Sequence, residues 1–170
     1  MGDSRATRRA LRARREPLTL TRVSEVVADI HIDAPRSLVW SVALDPERLA
    51  DWVTIHRHLG PHDNGPPRVG FKMAQTLSLR GAPFRVKWSL VRCDEPGLAE
   101  WHGKGPAGSK AETEYKLVDQ DGGTHFAYRN DFQAPLGLLG RVAQRAVAGD
   151  IPQVAALRSL ERLKALCERS

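Results

Sequence analysis

Cysteine is scarce in this chain, and its two copies, Cys93 and Cys167, lie far apart with no CxxC spacing. That argues against a disulfide framework and for two ordinary reduced thiols. Long apolar stretches are missing too: no run approaches the roughly 18 residues that a helical membrane span needs. No basic stretch followed by an apolar one opens the chain, so a cytoplasmic location is expected. Catalytic signatures are equally thin. There is no nucleophile elbow, no Cys–His pair and no EF-hand loop. "GKGPAGSK" (Gly103–Lys110) has phosphate-loop glycines, but its Ser and Lys stand in the wrong order. It also joins two strands where a phosphate loop needs a helix, so it reads as a flexible rim loop.

Basic residues are in excess, with a formal net charge of +6. The excess is concentrated at one end. Arg5, Arg8, Arg9, Arg12, Arg14 and Arg15 face only Asp3 and Glu16 within residues 1–17. The rest of the chain is nearly balanced. Residues 1–17 are therefore expected to be a disordered basic arm, and 18–170 a single domain. Such an arm can make weak contact with an acidic surface through charge alone. No specific nucleic-acid site follows from it. His56, His58, His62 and Asp63 cluster in the Pro- and Gly-rich stretch 54–68. An HxH pair plus a third His has zinc-ligand chemistry, but a loop lacks the rigid frame such a site needs. No metal and no cofactor are expected; polarity at a pH-sensitive rim is.

The chain is rich in period-two alternation. Val26, Ala28, Ile30 and Ile32 alternate with Glu25, Asp29, His31 and Asp33, predicting a half-buried strand. Pro35 opens a short helix, with Asp33 as a nearby cap; Asp45 and Pro46 start a second, ending near Trp52. After the loop at 54–68, five alternating segments follow, broken by "RGAP", "DEPG", "KGPAGSK" and "DQDGG". The stretch from Leu136 to Cys167 reads as one long helix. Its apolar stripes, Leu139–Val142–Ala143–Ala146 and Leu157–Leu160–Leu163–Cys167, do not line up. Gly149 and Pro152 predict a kink between them.

The stretches "HIDAPRSLVWSVALDPERLADW", "GGTHFAYRNDFQAPLGLLG" and "RSLERLKALCE" resemble the START-like (SRPBCC) superfamily over about residues 23–167. That group includes polyketide cyclases/dehydrases, lipid-transfer proteins, coenzyme-Q-binding proteins and the pollen-allergen family. The resemblance implies an α+β helix-grip fold in the order β-α-α-β-β-β-β-β-α. A curved antiparallel sheet would wrap the C-terminal helix and leave a cavity between them.

Alternation then selects what lines such a cavity. From the strands come Phe71, Met73, Gln75, Phe84, Trp88, Trp101, Tyr115, Phe126, Tyr128 and Asn130, with Leu77, Val86 and Thr113 beside them. From the helices come Trp40, Trp52, Leu139, Val142 and Ala146. Large rings opposite small helix residues leave room for an apolar ligand, fixed by Gln75, Tyr128 and Asn130. The expected function is binding or transport of a hydrophobic, lipid-like or aromatic small molecule. The alternative implied by the resemblance is a polyketide aromatase/cyclase. That enzyme needs proton-moving side chains in the cavity. By alternation Arg85, Arg129, His125, Asp131, Glu112 and Glu114 point outward, which favours the binder.

Overall fold

The computed structural model describes residues 19–137, 141, 144–145 and 147–169. The basic arm lies outside the described residues, as do Leu139, Val142 and Ala146. Strand β1 (Leu20–Ile32) runs first, followed by α1 (Arg36–Leu44), a short 3-10 turn and α2 (Leu49–Trp52). Six strands follow: β2 (His56–His62), β3 (Lys72–Leu79), β4 (Ala82–Asp94), β5 (Leu98–Lys104), β6 (Lys110–Gln120) and β7 (Gly123–Pro135). Helix α3 (Ile151–Cys167) closes the chain.

The seven strands form one curved antiparallel sheet in the order β1-β7-β6-β5-β4-β3-β2. Consecutive strands from β2 to β7 are neighbours, and β1 returns to pair with β7 over nearly its whole length. The alternation in β1 holds: Val26, Ala28 and Ile32 are buried while Glu25, Asp29 and Asp33 are exposed. Asp45 caps the 3-10 turn as expected, its carboxylate accepting the Glu47 N–H at 2.9 Å. Asp33 does not cap α1. Pro35 holds the cap position, and the Asp33 carboxylate pairs with His31 Nε2 at 2.9 Å.

One strand is more than the pattern predicts. Residues 56–62, expected to be loop, form β2 at the sheet edge. "HRHLGPH" has no apolar alternation and carries both Gly60 and Pro61. Such a segment is tolerated as a strand only at an edge, with bulges; two register shifts against β3 supply them.

The predicted kink is a break. Gly149 adopts φ +74°, a left-handed conformation that only glycine takes without strain. Helix α3 then starts at Ile151, with Pro152 in its first turn where no hydrogen bond is lost. Arg80, in the β3–β4 turn, donates to the Ala148 carbonyl at 2.8 Å and holds the break against the sheet. The apolar stripe of α3 also differs from expectation. Ala156, Leu160, Leu163 and Cys167 face the core, whereas Leu157 is 43% exposed. Four points tie α3 to the rest. Lys164 Nζ donates to the His31 carbonyl at 2.7 Å, and the Asp33 N–H donates to Glu168 at 2.8 Å. The Thr54 N–H donates to Ser159 Oγ at 3.0 Å, and Gln153 Nε2 donates to the Val27 carbonyl at 2.7 Å.

Candidate functional site

The two halves of α3 differ in side-chain size. Its C-terminal half presents Leu160, Leu163 and Cys167, which share one buried core with Ile32, Leu117 and Phe126, Leu160 also reaching the cavity's end. Its N-terminal half presents Pro152, Ala155, Ala156 and Ser159. The sheet changes in the same direction. The rung Ile30–Phe126–Leu117 is bulky, but further along come Val26–Asn130–Thr113 and Ser24–Phe132–Ala111 with Gly103. Small residues on both sides cannot meet, and a cavity of about 400 Å³ remains between them.

Nine of the expected lining residues lie on its wall: Trp52, Met73, Gln75, Phe84, Trp88, Trp101, Tyr115, Tyr128 and Asn130. Leu77, Val86 and Thr113 are there as well. Trp40, Phe71 and Phe126 are not. They are 5%, 1% and 0% exposed and belong to the solid core, Phe71 standing edge-on to Trp101. Period-two alternation fixes the face of a side chain, but not how far along the strand the cavity extends, so it could not separate Phe126 from Tyr128. Phe132 lines the wall and shares the alternation of β7, which was signal enough to find it. Ala155, Ala156 and Ser159 could not be found that way, since the predicted lining segment of the helix lay further upstream.

The polar wall groups fall into two kinds. Gln75 is fully engaged: its Oε1 accepts from Trp88 Nε1 at 3.0 Å, and its Nε2 donates to His56 Nδ1 at 2.9 Å. Asn130 Oδ1 accepts the Thr113 hydroxyl at 2.7 Å, leaving Nδ2 without a partner among the described residues. Tyr115 and Tyr128 sit directly opposite each other on β6 and β7, ring centroids 5.9 Å apart. Neither hydroxyl has a hydrogen-bond partner among the described residues. Burial pushes both phenols well above their ordinary range, so they stay protonated. The Trp52 indole N–H is buried and also unpartnered among the described residues, its ring edge-on to Tyr115 at 6.1 Å.

Among the described residues, the only charged side chain on the wall is Lys110, exposed beside the loop 105–109 that edges the cavity. Glu112 and Arg85 are exposed on the outer face. Asp131 is also on that face, buried under Arg22, which pairs with it. Of the loop histidines, His56 turns to Gln75 and His58 is exposed. Burial pushes the Cys167 thiol up to about 11 and raises Cys93 too, so neither is an activated nucleophile. No helix among the described residues is long and apolar enough to cross a membrane.

The His56–Gln75–Trp88 chain carries a pH signature. Burial and the neighbouring His58 and Arg57 lower the pKa of His56 below 6.5. The folded chain thus binds fewer protons there than the unfolded one, and stability falls as pH drops through the unfolded value. A protonated imidazole also cannot accept from Gln75. The melting temperature is expected to fall between pH 7.5 and 5.5, with a smaller fall in His56→Asn; equal falls in both chains would remove His56 as the cause.

Comparison with known proteins adds the lineage. Toxin Rv0910 of Mycobacterium tuberculosis is 24% identical over 131 residues, covering 76% of this chain and 91% of that protein. The crystal structure of protein CV1439 from Chromobacterium violaceum superposes with a TM-score of 0.68 at 17% identity, covering 85% of this chain and 96% of that one. DynU16, from the dynemicin biosynthetic locus, superposes with a TM-score of 0.57 at 17% identity, over 85% of this chain and 47% of its own. At these identities the solved structures speak for the helix-grip fold alone. Residues 23–168 match the family described as "Polyketide cyclase / dehydrase and lipid transport", and the chain belongs to it.

Proposed function

We propose that this protein binds and carries a hydrophobic small molecule, lipid-like or aromatic, in the cavity between its sheet and α3. The observation that carries this reading is the cavity itself. At about 400 Å³, with a wall dominated by Trp, Phe, Met, Leu and Ala, it has the size and chemistry of a small-molecule site. Burying an apolar molecule there removes its surface from water at about 25 cal/mol per Å². Family membership is consistent with this, since lipid transport is one of its named activities.

The same description and the DynU16 locus also raise a polyketide cyclase. A cyclase must move protons, and a His or carboxylate on the cavity wall would do it. Among the described residues the wall has neither, and its two phenols are held protonated. The carrier reading therefore stands first. The toxin name of the mycobacterial relatives states no ligand or reaction, so it does not narrow the class of molecule.

Native mass spectrometry of protein purified from its own host tests the proposal. A bound apolar molecule is expected, or, in protein stripped by organic solvent and refolded, saturable uptake of one equivalent of an apolar dye. A clean apo mass together with no uptake would overturn it.

A further inference from the structure

The cavity wall is asymmetric in its hydrogen-bonding capacity, and the asymmetry specifies part of the ligand. Its side-chain carbonyls are already engaged: Gln75 Oε1 by Trp88, and Asn130 Oδ1 by Thr113. Beside them stand groups that are free to donate. Tyr115 and Tyr128 have hydroxyls with no partner among the described residues, and the Asn130 amide nitrogen beside them is open as well. These groups face the cavity, so a molecule bound there is what can complete them. The two tyrosines are register partners on adjacent strands, their rings 5.9 Å apart and tilted 36° to each other, so they stand side by side on the cavity face of the sheet.

We propose that Tyr115 and Tyr128 form a paired donor site for an uncharged carbonyl oxygen on an otherwise apolar ligand, and that they select against a carboxylate at that position. This rests on the cavity being the binding site proposed above. A ketone oxygen has two lone pairs and accepts from both phenols at once. A carboxylate there would be a buried charge with only neutral donors around it, since Lys110 is exposed at the cavity edge. The phenols cannot relieve that charge by supplying a cation. Burial also raises both phenols above their ordinary range, which keeps them in the donating form near neutral pH.

The test uses the full chain, Tyr115→Phe, Tyr128→Phe and the double variant. Three fluorescent probes share one dimethylaminonaphthalene ring: prodan, which carries a ketone, a propyl analogue without it, and a carboxylate analogue. Prodan emission moves to the blue when its carbonyl loses hydrogen bonds. Each Phe variant is expected to bind prodan about 5-fold more weakly, the double variant weaker still, with blue-shifted emission. The propyl probe should bind all four chains equally, which also shows that the variants fold and keep the cavity. The carboxylate probe should bind the parent chain at least about 10-fold more weakly than prodan. If the propyl probe binds but prodan affinity and colour ignore both substitutions, or the carboxylate matches prodan, the donor pair is wrong while the carrier reading survives. If no probe binds the parent chain, the carrier reading fails and takes the donor pair with it.

Discussion

Ala156→Trp is expected to fold cooperatively and to lose at least about tenfold in affinity for an apolar dye. Ala156 lies one helical turn before Leu160, on the face of α3 that looks at the sheet. Leu160 borders the cavity's end and Leu163, one turn further on, lies in solid core; Ala156 faces the void. An indole there enters space that is already empty, so it removes binding volume without displacing a neighbour. Filling a cavity leaves stability within about 1 kcal/mol of the parent or raises it. The contrasting substitution is Leu163→Trp on the same helix. Leu163 is 0% exposed, and an indole there must displace packed neighbours at about 1–3 kcal/mol or more. Dye titration and urea unfolding of both chains separate the two cases. Unchanged uptake in a folded Ala156→Trp chain would mean that the ligand binds elsewhere.

The contrast between those positions also marks where the sequence stopped being readable. Sheet faces were legible because strand side chains alternate with a period of two, whatever they later touch. That is why alternation alone puts Trp88, Tyr115 and Tyr128 on the concave side. The long-range order was legible because the Pro-opened helices and the turn chemistry of "RGAP" and "DQDGG" fall in the helix-grip sequence. Depth along the strand was not, because Phe126 and Tyr128 look alike to any local pattern. What separates them is which half of α3 lies above, large at Leu160 and Leu163 or small at Ala155 and Ala156. Nor was β2 legible. An edge strand takes its hydrogen bonds from β3 and needs no apolar period of its own. His56 was consequently read as a loop residue when it anchors Gln75, and through it Trp88.

Gly103→Ala is expected to cost about 3 kcal/mol and to deform the cavity wall. Gly103 faces Trp88 across the β4–β5 pair, and the indole occupies the space where a side chain at Gly103 would start. A Cβ at that position would stand 2.6 Å from Trp88 Cζ3 and 2.8 Å from both Trp88 Cε3 and Val86 Cγ1. Real contacts are not that short, so something must move. The indole is not free to swing aside, because its N–H is fixed to Gln75 at 3.0 Å and Gln75 to His56 at 2.9 Å. Relief requires breaking that chain, which leaves a buried N–H unpaired, or pushing the ring into the cavity. Either way dye affinity should fall together with stability, unlike Ala156→Trp, where affinity falls alone. Urea unfolding should show a lower midpoint with an unchanged slope, since the surface exposed on unfolding is the same. In a Trp88→Leu background the cost should shrink by at least about 1 kcal/mol, because the ring atoms that crowd the new methyl are gone. Additive costs for the two substitutions would show that Gly103 is small for a reason unconnected with Trp88.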